Sequence, residues 1–227
     1  DPAALEKVIK PKTIVVANAA AASQVSGSRS MKNGEVQTID GIKIEAVPAY
    51  NLVHKRDNGQ PFHPEGVGNG YIVTFGDTRI YFAGDTENIP EMKRLQDIDY
   101  AFLPMNLPYT MTPEMVADAA KAFKPKILYP YHYGDTNTAQ LVDLLKDTPE
   151  IEEAVLDRGA GQREPMPGVE INANLAHGLM QDRLIHTMPR GLDLLVQQLV
   201  DLVHDLGTLE PLTSHDLTYV LQFTPAA

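Results

Sequence analysis

The order of apolar patterns along the middle of the chain constrains its fold more than any other feature. Four runs, GEVQTID, IKIEAVPAY, GYIVTF and TRIYFAG, lie between residues 34 and 84 and are rich in β-branched and aromatic residues. Asp40-Gly41 and Gly76-Asp77 join them in pairs, and both are common hairpin turns. After Asp85 the pattern changes to helix and strand in turn. IPEMKRLQ reads as a short helix and DYAFLPM as a buried strand. TPEMVADAAKAF reads as a helix capped by Thr112 with Pro113 at its start, KILYPYHYG as a second buried strand, TAQLVDLLKD as a helix and EEAVLD as a last strand. A meander followed by alternating helix and strand predicts a sheet layered with helices, an α/β (α+β) protein, and excludes the all-α and all-β classes.

Before the meander, DPAALEKVIK reads as a short helix with Asp1 as N-cap, KTIVVAN as a buried strand, and Ala19 to Ala22 as a second short helix running into SQVSGS. Beyond the last strand, RGAGQREPMPG has the Gly, Pro and charge content of a linker. Further on, Leu192, Leu195, Val196, Leu199, Leu202, Val203 and Leu206 have the spacing of one helix face. The division expected is a domain over 1–157, a linker over 158–168 and a helical extension over 169–227, which either packs on the domain or forms a homo-oligomer through its helix.

Composition narrows the functional classes. Nineteen Lys and Arg stand against 30 Asp and Glu, a formal net charge of −11, which opposes attraction to nucleic acid and to anionic lipid. No run approaches the roughly 20 apolar residues of a membrane span. Cysteine is absent, so a transition metal would be held by His, Asp or Glu.

Three polar positions follow β runs at what should be one edge of the sheet. They are the long loop NLVHKRDNGQPFHPEGVGNG with His54 and His63, Asp85 in YFAGDTEN, and His132 in YPYHYGD. A carboxylate with imidazoles is a natural ligand set for zinc or a similar divalent ion, and strand ends are where such groups are both held and accessible. By residue type alone, Asp85 reads equally as a helix N-cap or Asx turn, His132 as a buried histidine between tyrosines, and His63 as a loop residue.

Taken together, GVGNGYIVTFGDTRIYFAGDTENIPEMKRL and DIDYAFLPMNLPYTMTPEMVADAAKAFKPKILYPYHYGDT, with VPAYN and FHPEG ahead of them, resemble the metallo-β-lactamase superfamily in its branch of uncharacterised metal-dependent hydrolases. The resemblance covers about residues 1–157 and implies an αββα sandwich with a metal centre at one edge. It places Asp85 where a carboxylate can bridge two metal ions and His132 where the last histidine ligand lies. Where relatives carry a further histidine, this chain reads Ala49-Tyr50-Asn51, and His63 is the candidate to act in its stead. Tyr109, in the LPYTM segment, is a candidate hydrogen-bond donor to substrate.

The family's His-x-His-x-Asp-His motif does not occur between residues 1 and 227. The chain is therefore expected to be an N-terminally incomplete version of the fold, with one or two zinc ions in the intact family. The expected activity is attack of metal-activated water on an ester, amide or phosphodiester, lost or impaired in the chain as given. The alternative is a non-catalytic scaffold or binding protein assembling through its tail.

Overall fold

The computed structural model describes residues 9, 11, 13–153 and 221–223. The chain divides into two compact units, residues 1–31 with 158–227, and residues 32–157. This differs from the expected 1–157 domain in grouping residues 1–31 with 158–227.

In the first unit, strand β1 (Ile14–Ala17) is followed by helix α1 (Ala19–Ala22) and strand β2 (Arg29–Ser30). The Asn18 side chain caps α1 by accepting from the Ala21 N–H at 2.9 Å. β2 pairs parallel to β1 on one side. On the other side residues 221–223 pair antiparallel, with Ile14 opposite Phe223 and Val16 opposite Leu221. This corrects the all-helical reading of 169–227: these three residues are extended, because the free edge of β1 offers their backbone groups hydrogen-bond partners. The 158–168 linker and the helix over 192–206 lie outside the described residues, as do all but residue 9 of the first helix.

The second unit is built on a seven-stranded sheet. β3 (Val36–Ile39), β4 (Ile42–Ala49), β5 (Gly68–Phe75) and β6 (Thr78–Phe82) form the antiparallel meander. β7 (Tyr100–Pro104), β8 (Ile127–Tyr131) and β9 (Glu152–Glu153) then add in parallel to β6, so the order is β3 to β9 without a crossover in sequence. The connections between parallel strands must return along the sheet. Helix α2 (Pro113–Phe123) does so between β7 and β8, and α3 (Thr138–Leu145) between β8 and β9.

Strand alternation sorts the side chains into two faces. Ile72, Tyr81, Ala101, Leu103 and Leu128 point toward Val116, Ala120 and Phe123 of α2 and Leu141 and Leu145 of α3, which together form the buried core. On the opposite face Phe82, Phe102 and Tyr129 stack across three strands at centroid distances of 4.8 and 5.0 Å. Thr112 caps α2 as expected, its hydroxyl accepting from the Met115 N–H at 3.2 Å, with Pro113 in the first turn.

IPEMKRLQ does not form the expected α-helix. Only Met92–Arg94 are helical, as a single 3₁₀ turn, and Leu95 is already extended. Eight residues opening on Ile-Pro cannot propagate enough intrahelical bonds to offset nucleation, and one tight turn suffices to seat Met92 in the core.

Candidate metal centre

Strand direction decides which loops meet. β4 and β6 both run antiparallel to β5 and therefore run the same way, and β7 and β8 run parallel to β6. The C-terminal ends of these four strands consequently share one edge of the sheet. From that edge emerge Asn51 and the loop carrying His63 after β4, Asp85 after β6, Asn106 after β7 and His132 after β8. Open sheets with parallel strands commonly bind ligands at this edge, where the strands fix the side chains and the loops remain accessible.

Two glycines let the Asp85 turn sit close to β5. A Cβ on Gly84 would lie 2.6 Å from the Asn69 carbonyl oxygen, and its φ of +72° is one that side-chain-bearing residues rarely adopt. A Cβ on Gly70 would lie 2.6 Å from the Ala83 carbonyl oxygen. No helix begins at Asp85. The next helical turn has Glu91 at its N-cap position and no side-chain cap, so the capping reading of Asp85 fails.

Thr86 and Glu87 anchor the turn to the loop after β4. The Thr86 hydroxyl accepts from the Tyr50 N–H at 3.1 Å and is fully buried. Glu87, 1% exposed, accepts from the backbone N–H groups of Leu52, Val53 and His54 at 2.7, 2.6 and 2.7 Å. It also accepts from the Asn51 amide at 3.1 Å, and His54 Nδ1 lies 2.6 Å from it. Burial pushes the Glu87 carboxyl up, but these donors together bring it below its ordinary value. His54, one of the two loop histidines, is thereby committed to Glu87 and stands apart from the Asp85 cluster.

Asp85 receives a histidine at each oxygen. His132 Nδ1 is 3.0 Å from Oδ1, and His63 Nε2 is 3.6 Å from Oδ2. His132 is buried, and its φ of +47° places a non-glycine residue in the left-handed region at the end of β8. Its Nε2 lies 3.4 Å from the Asn106 amide nitrogen. His63 is held by Asn51, whose Oδ1 is 2.8 Å from both its backbone N and its Nδ1. Burial lowers the His63 pKa below its ordinary value, outweighing the neighbouring Asp85 carboxylate and the Tyr109 backbone, which raise it.

The three expected ligands thus converge. Among the described residues, however, no three His, Asp or Glu side chains are grouped so that they could hold a metal ion. The imidazoles address different oxygens of Asp85, His132 within hydrogen-bonding distance of Oδ1 and His63 3.6 Å from Oδ2. As donor chemistry, one carboxylate and two imidazoles suit a borderline divalent ion such as zinc.

Tyr109 reaches this site through its backbone. Its carbonyl accepts from the Asn51 amide at 2.9 Å, and its ring stands edge-on to Phe62 with centroids 5.0 Å apart. Beside Asn106 opens a cleft of about 540 Å³ lined by Thr112, Glu114, Asp135, Thr136 and Gln140 among others, with no basic residue among the described residues of its wall. Reading residue types in sequence misses Asn51, Glu87 and Asn106. The signal for two of them was adjacency: Asn51 ends the VPAYN run, and Glu87 follows the Gly84-Asp85-Thr86 turn directly.

Known proteins resemble this chain over the same region. The family model described as the beta-lactamase superfamily domain matches residues 6–132. A UPF0173 metal-dependent hydrolase of Methanoculleus marisnigri is 30% identical over 130 residues, which are 55% of this chain and 58% of that protein. A second, of Pelotomaculum thermopropionicum, is 32% identical over 131 residues, 56% of this chain and 55% of that protein. The chain therefore spans a little over half the length of these curated relatives. A crystal structure described as a metal-dependent hydrolase from Parabacteroides distasonis is 51% identical, superposes with a TM-score of 0.64, and is matched over 68% of this chain and 69% of that one.

Proposed function

This chain belongs to the beta-lactamase superfamily, and we propose that it serves metal-dependent hydrolysis at the edge where Asp85, His132 and His63 meet. The convergence of these three side chains from separate loops, at 3.0 and 3.6 Å about one carboxylate, is the observation that carries the reading. They are the residues that would hold the ion, with zinc the metal best suited to a site of oxygen and imidazole donors in a chain without cysteine. When bound, such an ion supplies Lewis acidity to water and to a carbonyl or phosphoryl oxygen.

The chain's own residues set the rest. Asn106, after β7, places an amide beside His132 and on the wall of the neighbouring cleft, where it can donate to a substrate oxygen. Tyr109 is the candidate to donate from its hydroxyl to a substrate lying against the His63 loop. Glu114 and Asp135 give the cleft negative charge, which favours an uncharged or cationic ester or amide over a phosphodiester.

Because no three described donors form a ligand set, turnover by this chain is expected to be impaired. The pairing of the donors with one another also favours a second reading, a non-catalytic binding protein on the same scaffold. Metal analysis of protein purified without chelator separates the two. Stoichiometric zinc that is lost in Asp85→Ala and His132→Ala, together with hydrolysis of a nitrophenyl ester or anilide, supports the hydrolase. Absence of both metal and turnover in the unsubstituted chain sinks it.

A further inference from the structure

Asn-Gly occurs three times in the chain, at 33-34, 58-59 and 69-70. In this dipeptide the asparagine side chain is most open to attack by the following backbone nitrogen, because glycine puts no Cβ in the way and turns freely. The structure separates the three. Asn33 is half-buried, and its Nδ2 donates to the Val47 carbonyl, the Gly68 carbonyl and Asn69 Oδ1 at 3.2, 3.0 and 2.7 Å, while the Gly34 N–H donates to the Ala46 carbonyl. Asn69 is 7% exposed, its Nδ2 donates to the Tyr71 hydroxyl, and Gly70 is paired with Val47 inside the sheet. Asn58 and Gly59 are both exposed in the loop between β4 and β5. Asn58 Oδ1 accepts from the Gln60 N–H at 3.0 Å, its only side-chain hydrogen bond among the described residues, and nothing lies within 4 Å of where a Cβ on Gly59 would stand.

We infer that Asn58-Gly59 is a self-modification site, at which the side chain deamidates through a cyclic imide, and that the isoaspartate so formed loosens the loop that carries Phe62 and His63. The Gly59 backbone nitrogen gives up its proton and attacks Asn58 Cγ. An N–Cγ bond forms, the Cγ–Nδ2 bond breaks, and Nδ2 leaves as ammonia, taking up a proton in place of the one released. Water then opens the imide. Cleavage of the new N–Cγ bond gives aspartate, and cleavage of the original N–C bond gives isoaspartate, whose main chain runs through Cγ. In the folded chain the Gly59 N–H donates to the Arg56 carbonyl and the Arg56 N–H to the Gln60 carbonyl, both at 2.8 Å, so this turn opens before the attack. An exposed turn opens at little cost, whereas Asn33 and Asn69 must first break bonds to the sheet. The isoaspartate product adds a methylene to the main chain between Arg56 and Gln60. It thereby disrupts the closure of that turn and the Lys55–Pro61 bridge beside it, which lie directly ahead of Phe62, whose ring packs on Tyr109. The inference does not depend on the hydrolase reading.

Peptide mapping by mass spectrometry of the folded full chain, kept for days at mildly alkaline pH, tests the site. The expected result is a mass gain of about 1 Da in the peptide that holds Asn58. Isoaspartate should be found there by methyl transfer from a protein isoaspartate methyltransferase. Asn58 should convert at least about 10-fold faster than Asn33 or Asn69 in the folded chain, and within about threefold of them in strong urea, where the hydrogen bonds that protect the other two are gone. An intact Asn58, equal conversion of all three in the folded chain, or a preference for Asn58 that persists in urea overturns the assignment. Brief trypsin treatment reads the loosening. Aged protein should be cut after Lys55 and Arg56 about 10-fold faster than fresh protein. Asn58→Gln aged in parallel and fresh Asn58→Asp, which carries the charge without the extra methylene, should both be cut at the fresh rate. Equal cutting of aged and fresh protein, or acceleration in either variant, overturns the structural consequence assigned to isoaspartate.

Discussion

Replacing Glu87 with glutamine probes the joint between the Asp85 turn and the His63 loop with almost no change in shape. Five donors converge on the carboxylate: Leu52 and Val53 N–H on Oε2, and His54 N–H, His54 Nδ1 and the Asn51 amide on Oε1. A glutamine offers one oxygen. Placed to serve the three donors on the Oε1 side, its NH₂ faces the Leu52 and Val53 N–H groups at 2.6 to 2.7 Å. Each of those donors then loses a charged acceptor, at about 1–3 kcal/mol apiece. Leu52 and Val53 are exposed, so water recovers part of that loss and the lower half of the range applies, about 3 kcal/mol in total. For a unit of this size that is a fall in Tm of roughly 10 °C, measurable by circular dichroism or calorimetry.

The pH dependence has a definite sign. Because the folded pKa of Glu87 is depressed from 4.5, its contribution is fully present above that value and is lost as pH falls through the folded pKa. The variant's Tm should accordingly fall less steeply than the parent's over the acid range. A Glu87→Gln protein melting within 1 °C of the parent, with an unchanged acid limb, would refute the argument that this carboxylate ties the two loops together.

Three further outcomes follow from local geometry. Gly84→Ala should cost about 3 kcal/mol, since the new Cβ meets the Asn69 carbonyl at 2.6 Å and φ is +72°, and should weaken zinc binding with it because Asp85 is the next residue. Thr112→Ala removes the cap of α2 and should lower the urea midpoint by the equivalent of about 1 kcal/mol without altering metal affinity. Phe102→Leu, in the middle of the stack between Phe82 and Tyr129, should destabilise by about 1–2 kcal/mol in the same urea assay, as two ring contacts are lost and the volume is only partly kept.

Much of the second unit was legible from local chemistry. Turn pairs at Asp40-Gly41 and Gly76-Asp77 set the hairpins, and the Thr112-Pro113 start set α2, because these signals act through a few neighbouring residues. IPEMKRLQ has helical composition but forms only one 3₁₀ turn, since composition without length does not make a helix. The pairing of residues 221–223 with β1 had no local signal at all: it joins segments about 200 residues apart through backbone groups that every sequence carries.

The site divides along the same line. Sequence by itself determined the kinds of donor available, a carboxylate at Asp85 and imidazoles at His63 and His132, and that each follows a β run. It could not decide between a capping and a ligand-like Asp85, nor tell His63 from His54 in one loop. Tertiary structure shows that no helix starts at Asp85 and which of the two histidines faces it, because the shared direction of β4, β6, β7 and β8 brings three distant loops to one edge. There Glu87 claims His54, while Asn51 turns His63 toward Asp85. Such choices depend on which acceptor stands within about 3 Å of a ring nitrogen, a quantity set by packing between strands and not by residue type.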